Sequence, residues 1–177
     1  MNRWQEKGLL IKLRRGLYVL NENDRKIHPS RIFLANAVYF PSYVSTEYAL
    51  GYYDLIPERV EDVTSVTTKK TAQFKNAFGM FVFQHVKSGL FFGSAKVKDE
   101  NGLPVLIAQP EKALLDFIYL NLSSFKGKGT DVFGLSYRLQ NLDILKKRKL
   151  KEFAKKYENK WIDEVLKDLL AFLKQGS

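Results

Sequence analysis

Val63-Thr64-Ser65-Val66-Thr67-Thr68 is where the periodicity of this chain changes. From there four runs rich in Val, Phe and Thr, at residues 63–68, 80–86, 90–97 and 103–108, are broken by Gly79, Gly89 and Gly102. Branched and aromatic residues suit a pleated, half-buried surface, so this segment is read as a strand cluster. Downstream, Pro110 fits the first turn of a helix and Glu111 suits its positive end. The helix expected over 111–122 is apolar nearly all round (Leu114, Leu115, Phe117, Ile118, Leu120), which predicts burial. Leu142, Leu145, Phe153 and Tyr157 mark one amphipathic helix. Trp161, Val165, Leu169 and Leu173 mark a second, widened by Ile162, Leu166 and Leu170.

Upstream, Ser45, Glu47 and Tyr48 start a helix that ends before Pro57, and Pro29-Ser30 opens another over 31–40 that Pro41 stops. Leu9-Leu10-Ile11-Lys12-Leu13 and Leu17-Tyr18-Val19-Leu20 flank Arg14-Arg15-Gly16, a β-hairpin with a basic tip. Leu9, Ile11, Leu17 and Val19 are its expected packing residues. A short helix over 2–7 precedes it, ended by Gly8. The fold class is α+β.

The chain has 177 residues, 45% hydrophobic and 14% aromatic, enough for a core and against disorder. Its formal charge is +10, with 29 Lys and Arg against 19 Asp and Glu. Residues 1–30 hold seven basic and three acidic side chains, residues 31–110 eight and seven, and residues 111–177 fourteen and nine. The excess therefore sits at the two ends, and it favours an anionic partner, nucleic acid first.

There is no Cys, and the two His, His28 and His85, form no metal-binding motif, so thiol chemistry and a zinc hydrolase drop out. A metal-dependent nuclease would need a strand acid two residues before a lysine. Thr67 and Thr68 occupy those positions before Lys69 and Lys70. Gly127-Lys128-Gly129 lacks the phosphate-loop spacing and reads as part of a flexible loop over 123–130, while Gly134-Leu135-Ser136-Tyr137-Arg138 lacks the second Gly of a nucleophile elbow. No enzyme, metal or cofactor is expected. With no signal-like or membrane-spanning stretch, a soluble cytoplasmic protein is expected.

The run from Trp4 to Val19, Trp4-Gln5-Glu6-Lys7-Gly8-Leu9-Leu10-Ile11-Lys12-Leu13-Arg14-Arg15-Gly16-Leu17-Tyr18-Val19, resembles the end of the winged-helix domain in AbiEi-type antitoxins. Pro41-Ser42-Tyr43-Val44-Ser45-Thr46-Glu47-Tyr48-Ala49-Leu50 resembles the start of that family's C-terminal domain. Thr64-Ser65-Val66-Thr67-Thr68-Lys69-Lys70-Thr71 and Ala108-Gln109-Pro110-Glu111-Lys112-Ala113-Leu114-Leu115-Asp116 follow in the family's order. The resemblance covers about residues 4–120. It implies an antitoxin and transcriptional regulator of a bacterial type IV toxin–antitoxin, or phage abortive-infection, system. It also implies a nucleotidyltransferase-like toxin as functional partner, opposed without a stable complex. Seven residues precede Gly8, fewer than two helical turns, so the recognition helix is a stub. The expected organisation is a winged-helix remnant over 1–27 and an AbiEi-like antitoxin domain over 28–177. Either the chain starts downstream of the full reading domain or it has kept only the wing.

Candidate DNA contacts, to the protein's own promoter, are Lys12, Arg14 and Arg15 at the hairpin, Lys69 and Lys70 after the hydroxyl-rich strand, and Lys146, Lys147 and Lys149 in the densest basic run. The alternatives are a solvated hairpin tip, ordinary strand propensity and a solvated helix face. No membrane partner is expected. The competing function is an interaction domain that does not bind DNA and acts through a protein or RNA partner.

Overall fold

The computed structural model describes residues 2–175. A five-residue helix, α1 (Asn2–Glu6), leads into the hairpin of β1 (Leu10–Arg14) and β2 (Leu17–Leu20). Arg15 and Gly16 form the turn, and Gly16 takes φ +78°, a left-handed conformation that costs glycine nothing. The hairpin's anchor is Leu13, only 4% exposed, while Leu9 is 38% exposed. Leu9 thus lies outside the packing role that its sequence suggests. Leu17 and Val19 do pack against the core. Asn76 Nδ2 donates to the Leu13 carbonyl at 3.2 Å, and the Arg25 guanidinium sits 5.4 Å from the centre of the Phe78 ring. Burying a leucine is worth ~1.5–3 kcal/mol, so Leu13 is the main tie between hairpin and body.

Helix α2 (Arg31–Val38) is capped by Ser30, whose Oγ accepts the Phe33 amide at 3.1 Å. It is followed by a cis Phe40–Pro41 peptide, then by β3 (Ser42–Val44) and α3 (Thr46–Tyr52). Next come β4 (Val63–Thr67), β5 (Ala72–Asn76) and β6 (Gly79–His85). A 3-10 turn at Ser88–Leu90 precedes β7 (Ser94–Lys98) and β8 (Pro104–Ala108). Of the single strand expected over 90–97, Leu90 ends the turn, residues 91–93 are irregular and only the rest is strand. Phe91 and Phe92 are drawn towards the core, and Gly93 breaks the extended backbone at φ +74°.

The six strands form one mixed sheet in the order β5-β6-β4-β3-β8-β7. Residues paired in register share a face, so Ala72, Phe83, Ser65, Val44, Ile107 and Ala95 run as one row across it. Tyr39, at the end of α2, covers that face against Phe74 and Phe83, with ring centroids at 5.5 and 5.1 Å. Tyr43 and Val66 point the other way, towards α4 (Pro110–Leu120), in which every residue from Glu111 to Ile118 is buried.

The remaining chain is helical. It comprises α5 (Leu122–Phe125), a π-helical turn at Val132–Ser136, a 3-10 turn at Leu142–Ile144, α6 (Lys147–Lys155) and α7 (Lys160–Gln175). Leu142, Leu145, Phe153 and Tyr157 do not share one helix, because Lys146 is extended at φ −85°, ψ 107° and α6 begins after it. Part of the loop expected over 123–130 belongs to α5, and Lys126 Nζ sits 3.3 Å from the centre of the Trp161 ring. The class is α+β, and no helix among the described residues is long and apolar enough to cross a membrane.

Candidate functional site

Arg14 and Arg15 project from the hairpin turn, exposed, with Lys12 exposed one pleat back. None of the three has an ion-pair partner among the described residues; Arg14 Nη1 donates only to the Arg15 carbonyl at 3.4 Å. A bulge between Lys12 and Arg14 accompanies the turn and twists the tip. Lys69 and Lys70 are exposed just past β4, and their backbones are held. The Lys69 carbonyl lies 2.9 Å from His85 Nδ1, and the Lys70 carbonyl accepts Tyr39 Oη at 3.1 Å. Lys69 Nζ stands 5.3 Å from the Tyr39 ring centre.

The basic run behaves less uniformly than its sequence suggests. Lys149 is 31% exposed and lies 3.4 Å from the buried carboxylate of Glu111. Lys146 gives its backbone amide to Glu111 Oε1 at 3.0 Å. Glu111, from α4, therefore serves the positive end of α6, which carries no acid of its own in its first turn. Lys147 donates to the Leu173 carbonyl at 3.3 Å. The exposed cations form a ladder at four-residue spacing, Lys147, Lys151 and Lys155, which with Arg148 and Glu152 lines a groove of about 540 Å3. Lys151 and Lys155 are additions to the basic set, and the 3.6-residue helical period would have found them.

The densest chemistry of the molecule is internal. Tyr43 and Ser45, from the run at Pro41, donate to Asp116 Oδ2 at 3.1 and 2.8 Å. Lys112, one turn before Asp116, donates to its Oδ1 and to Tyr157 Oη, the latter at 2.7 Å. Tyr157 Oη in turn donates to Oδ1 at 2.8 Å. Lys112 and Asp116 are both fully buried. The Lys112 ammonium also faces the Phe92 ring, 4.5 Å from its centre. Gly93 provides its seat: a Cβ there would stand 3.0 Å from Lys112 Cγ and 3.2 Å from Cδ.

The demands of this network propagate outward. Ser45 occupies the N-cap position of α3 but spends its hydroxyl on Asp116. Thr64 of β4 substitutes: its Oγ1 accepts the Tyr48 amide at 3.1 Å and donates to the Ser45 carbonyl at 2.9 Å. Three of the four stretches that carry the family resemblance thus meet at one polar centre.

Burial pushes the Tyr43 and Tyr157 phenols far up, and the Asp116 charge adds to the effect. Burial also draws Lys112 below its ordinary value, against the opposing pull of Asp116. Such a centre ties α4 to β3 and to the chain after α6. Among the described residues no three His, Cys, Asp or Glu side chains gather where they could hold a metal ion. No family model matches this chain, and no curated protein matches it at a significant level.

Proposed function

We propose that this chain is a non-enzymatic antitoxin and transcriptional regulator of the AbiEi kind, contacting its own promoter through the hairpin and the basic face of α6. The observation that carries the reading is the hairpin tip, where Arg14 and Arg15 project without acidic partners from a turn tied to the core through Leu13. Cations so placed suit phosphate contacts, which position a protein on a duplex without reading its bases.

The α6 face supports the same conclusion by its cost. Lys147 and Arg148 occupy the first turn without an acidic partner among the described residues, where the helix dipole is positive and cations destabilise. Charges that work against their own helix fit a role in binding better than a role in folding. The partner that the resemblance implies is a nucleotidyltransferase-like toxin, opposed without a stable complex.

The test is a gel-shift titration on promoter DNA across a range of salt. Arg14→Ala combined with Arg15→Ala weakens binding and flattens the plot of log Kobs against log salt by ~2, one unit per lost phosphate contact. Unchanged affinity and slope overturn the assignment. Co-expression with the neighbouring toxin tests the antitoxin half, with restored growth as the expected result.

A further inference from the structure

A cleft of about 520 Å3 opens where the turn at Ser88–Leu90 faces the junction of α6 and α7, lined by Lys87, Gly89, Tyr119, Lys156, Tyr157 and Asn159. We propose that it binds a nucleoside monophosphate, free or at the end of a strand. The site shares no residue with the hairpin or with the lysine ladder of α6, and it does not depend on the promoter reading.

The cleft is in the size range of small-molecule sites. Lys87 and Lys156 are exposed cations without an acidic partner among the described residues. Lys156 is held in place, its Nζ 4.4 Å from the centre of the Phe92 ring. These two ammonium groups supply the charge that a phosphate needs.

The aromatic wall supplies the rest. Tyr119, half-buried, offers the ring surface; its centroid lies 5.3 Å from that of Tyr157, which is only 6% exposed and backs it, fixed by bonds to Lys112 and Asp116. A ring already immobilised loses little freedom when a flat base lies against it. Asn159 uses its Oδ1 on the Trp161 amide at 2.9 Å, and its amide nitrogen has no partner among the described residues, which leaves it to donate to a ligand. Beside Gly89 no atom lies within 4 Å of where a side chain would start, so a ligand can approach the backbone there.

Glu158 is the one acid on the wall, beside two lysines. That balance suits one phosphate group and disfavours a polyphosphate.

Isothermal titration of the full chain with AMP, GMP, CMP and UMP, with inorganic phosphate as a control, tests the proposal. The expected result is saturable one-to-one binding of at least one monophosphate, about tenfold or more tighter than inorganic phosphate. Lys87→Ala with Lys156→Ala should weaken it about tenfold with only a small fall in melting temperature, from the lost Lys156–Phe92 contact. Glu158→Gln should tighten it. A 5′-phosphorylated hexanucleotide separates the sources: stronger binding by the strand assigns a strand end, and stronger binding by the monophosphate assigns a free nucleotide. No saturable binding, affinity equal to that of inorganic phosphate, or an unaffected double variant each overturns the proposal.

Discussion

Lys112 and the lysines of α6 are the same side chain put to opposite uses, and Glu111 stands between them. Lys112 has no exposure, a carboxylate, a phenol and an aromatic face around it, and a glycine opposite its stem. Lys151 and Lys155 lie on an open helix face, with no acid pairing them among the described residues. The first charge is tolerated because its ammonium meets two oxygen acceptors and an aromatic face, whereas the second group leaves its donors to solvent or to a partner. Positive charge in this chain is therefore two populations, and the +10 total counts both, with Lys112 offset by Asp116. Variants that break each population should separate stability from binding.

The largest expected effect is at the buried pair. Asp116→Ala leaves the Lys112 ammonium uncompensated and removes the acceptor of Tyr43, Ser45 and Tyr157, a loss of ~3–5 kcal/mol by urea unfolding. Replacing both members, Lys112→Met with Asp116→Leu, should cost less than Asp116→Ala alone. A double variant less stable than that single one would show that the polar centre stabilises the fold in its own right. Leu13→Ala comes next, at ~2–4 kcal/mol, and should release the hairpin from the body first, read as faster amide exchange over residues 10–20. Tyr157→Phe removes one hydroxyl bridging the pair, ~1–2 kcal/mol. Arg148→Glu, at the positive end of α6, should raise stability by ~0.3–1 kcal/mol while weakening polyanion binding. That last substitution probes the contrast most directly, since it makes folding and binding move in opposite directions.

pH offers a further way to part the two populations. The Tyr43 and Tyr157 phenols stay protonated in the folded chain well past the ordinary value of 10.0. Their contribution is complete below pH 10 and is lost above it, as the unfolded phenols ionise first. Tyr53, pushed up to about 12, follows the same course between those values. Lys112 acts in the other sense: its folded pKa lies below 10.5, so its penalty holds at neutral pH and fades on approach to that value. Burial raises the Tyr48 phenol as well, so with four tyrosines against one lysine net stability should fall above pH 10. Absorbance at 295 nm should show the Tyr43 and Tyr157 phenolates only as the chain unfolds.

How much of this was legible in the sequence follows from the range of the interactions. Local periodicity identified the hairpin, the helix after Pro110 and most of the strands, because burial on one face repeats along the chain. It missed β3, three residues long and buried throughout, and β5, whose alternation from Ala72 to Asn76 is unbroken but only five residues long. It also ran α6 into the turn before it, since Lys146 is extended for a reason 35 residues away, the carboxylate of Glu111. The exposed cations at the hairpin could be read directly. The polar centre could not, because Tyr43, Lys112, Asp116 and Tyr157 come from three distant segments. Two of the stretches that looked like signatures of function, at 41–50 and 108–116, prove to supply its polar interior.

The seat of Lys112 bears on how such a chain can change over time. Position 93 is constrained twice, by a backbone angle of +74° and by contact with the lysine stem. Loss of the long side chain at 112 removes the second constraint and keeps the first. Substitutions at 93 should therefore be tolerated more readily once the lysine is lost, and then towards Asn or Asp, which tolerate that angle.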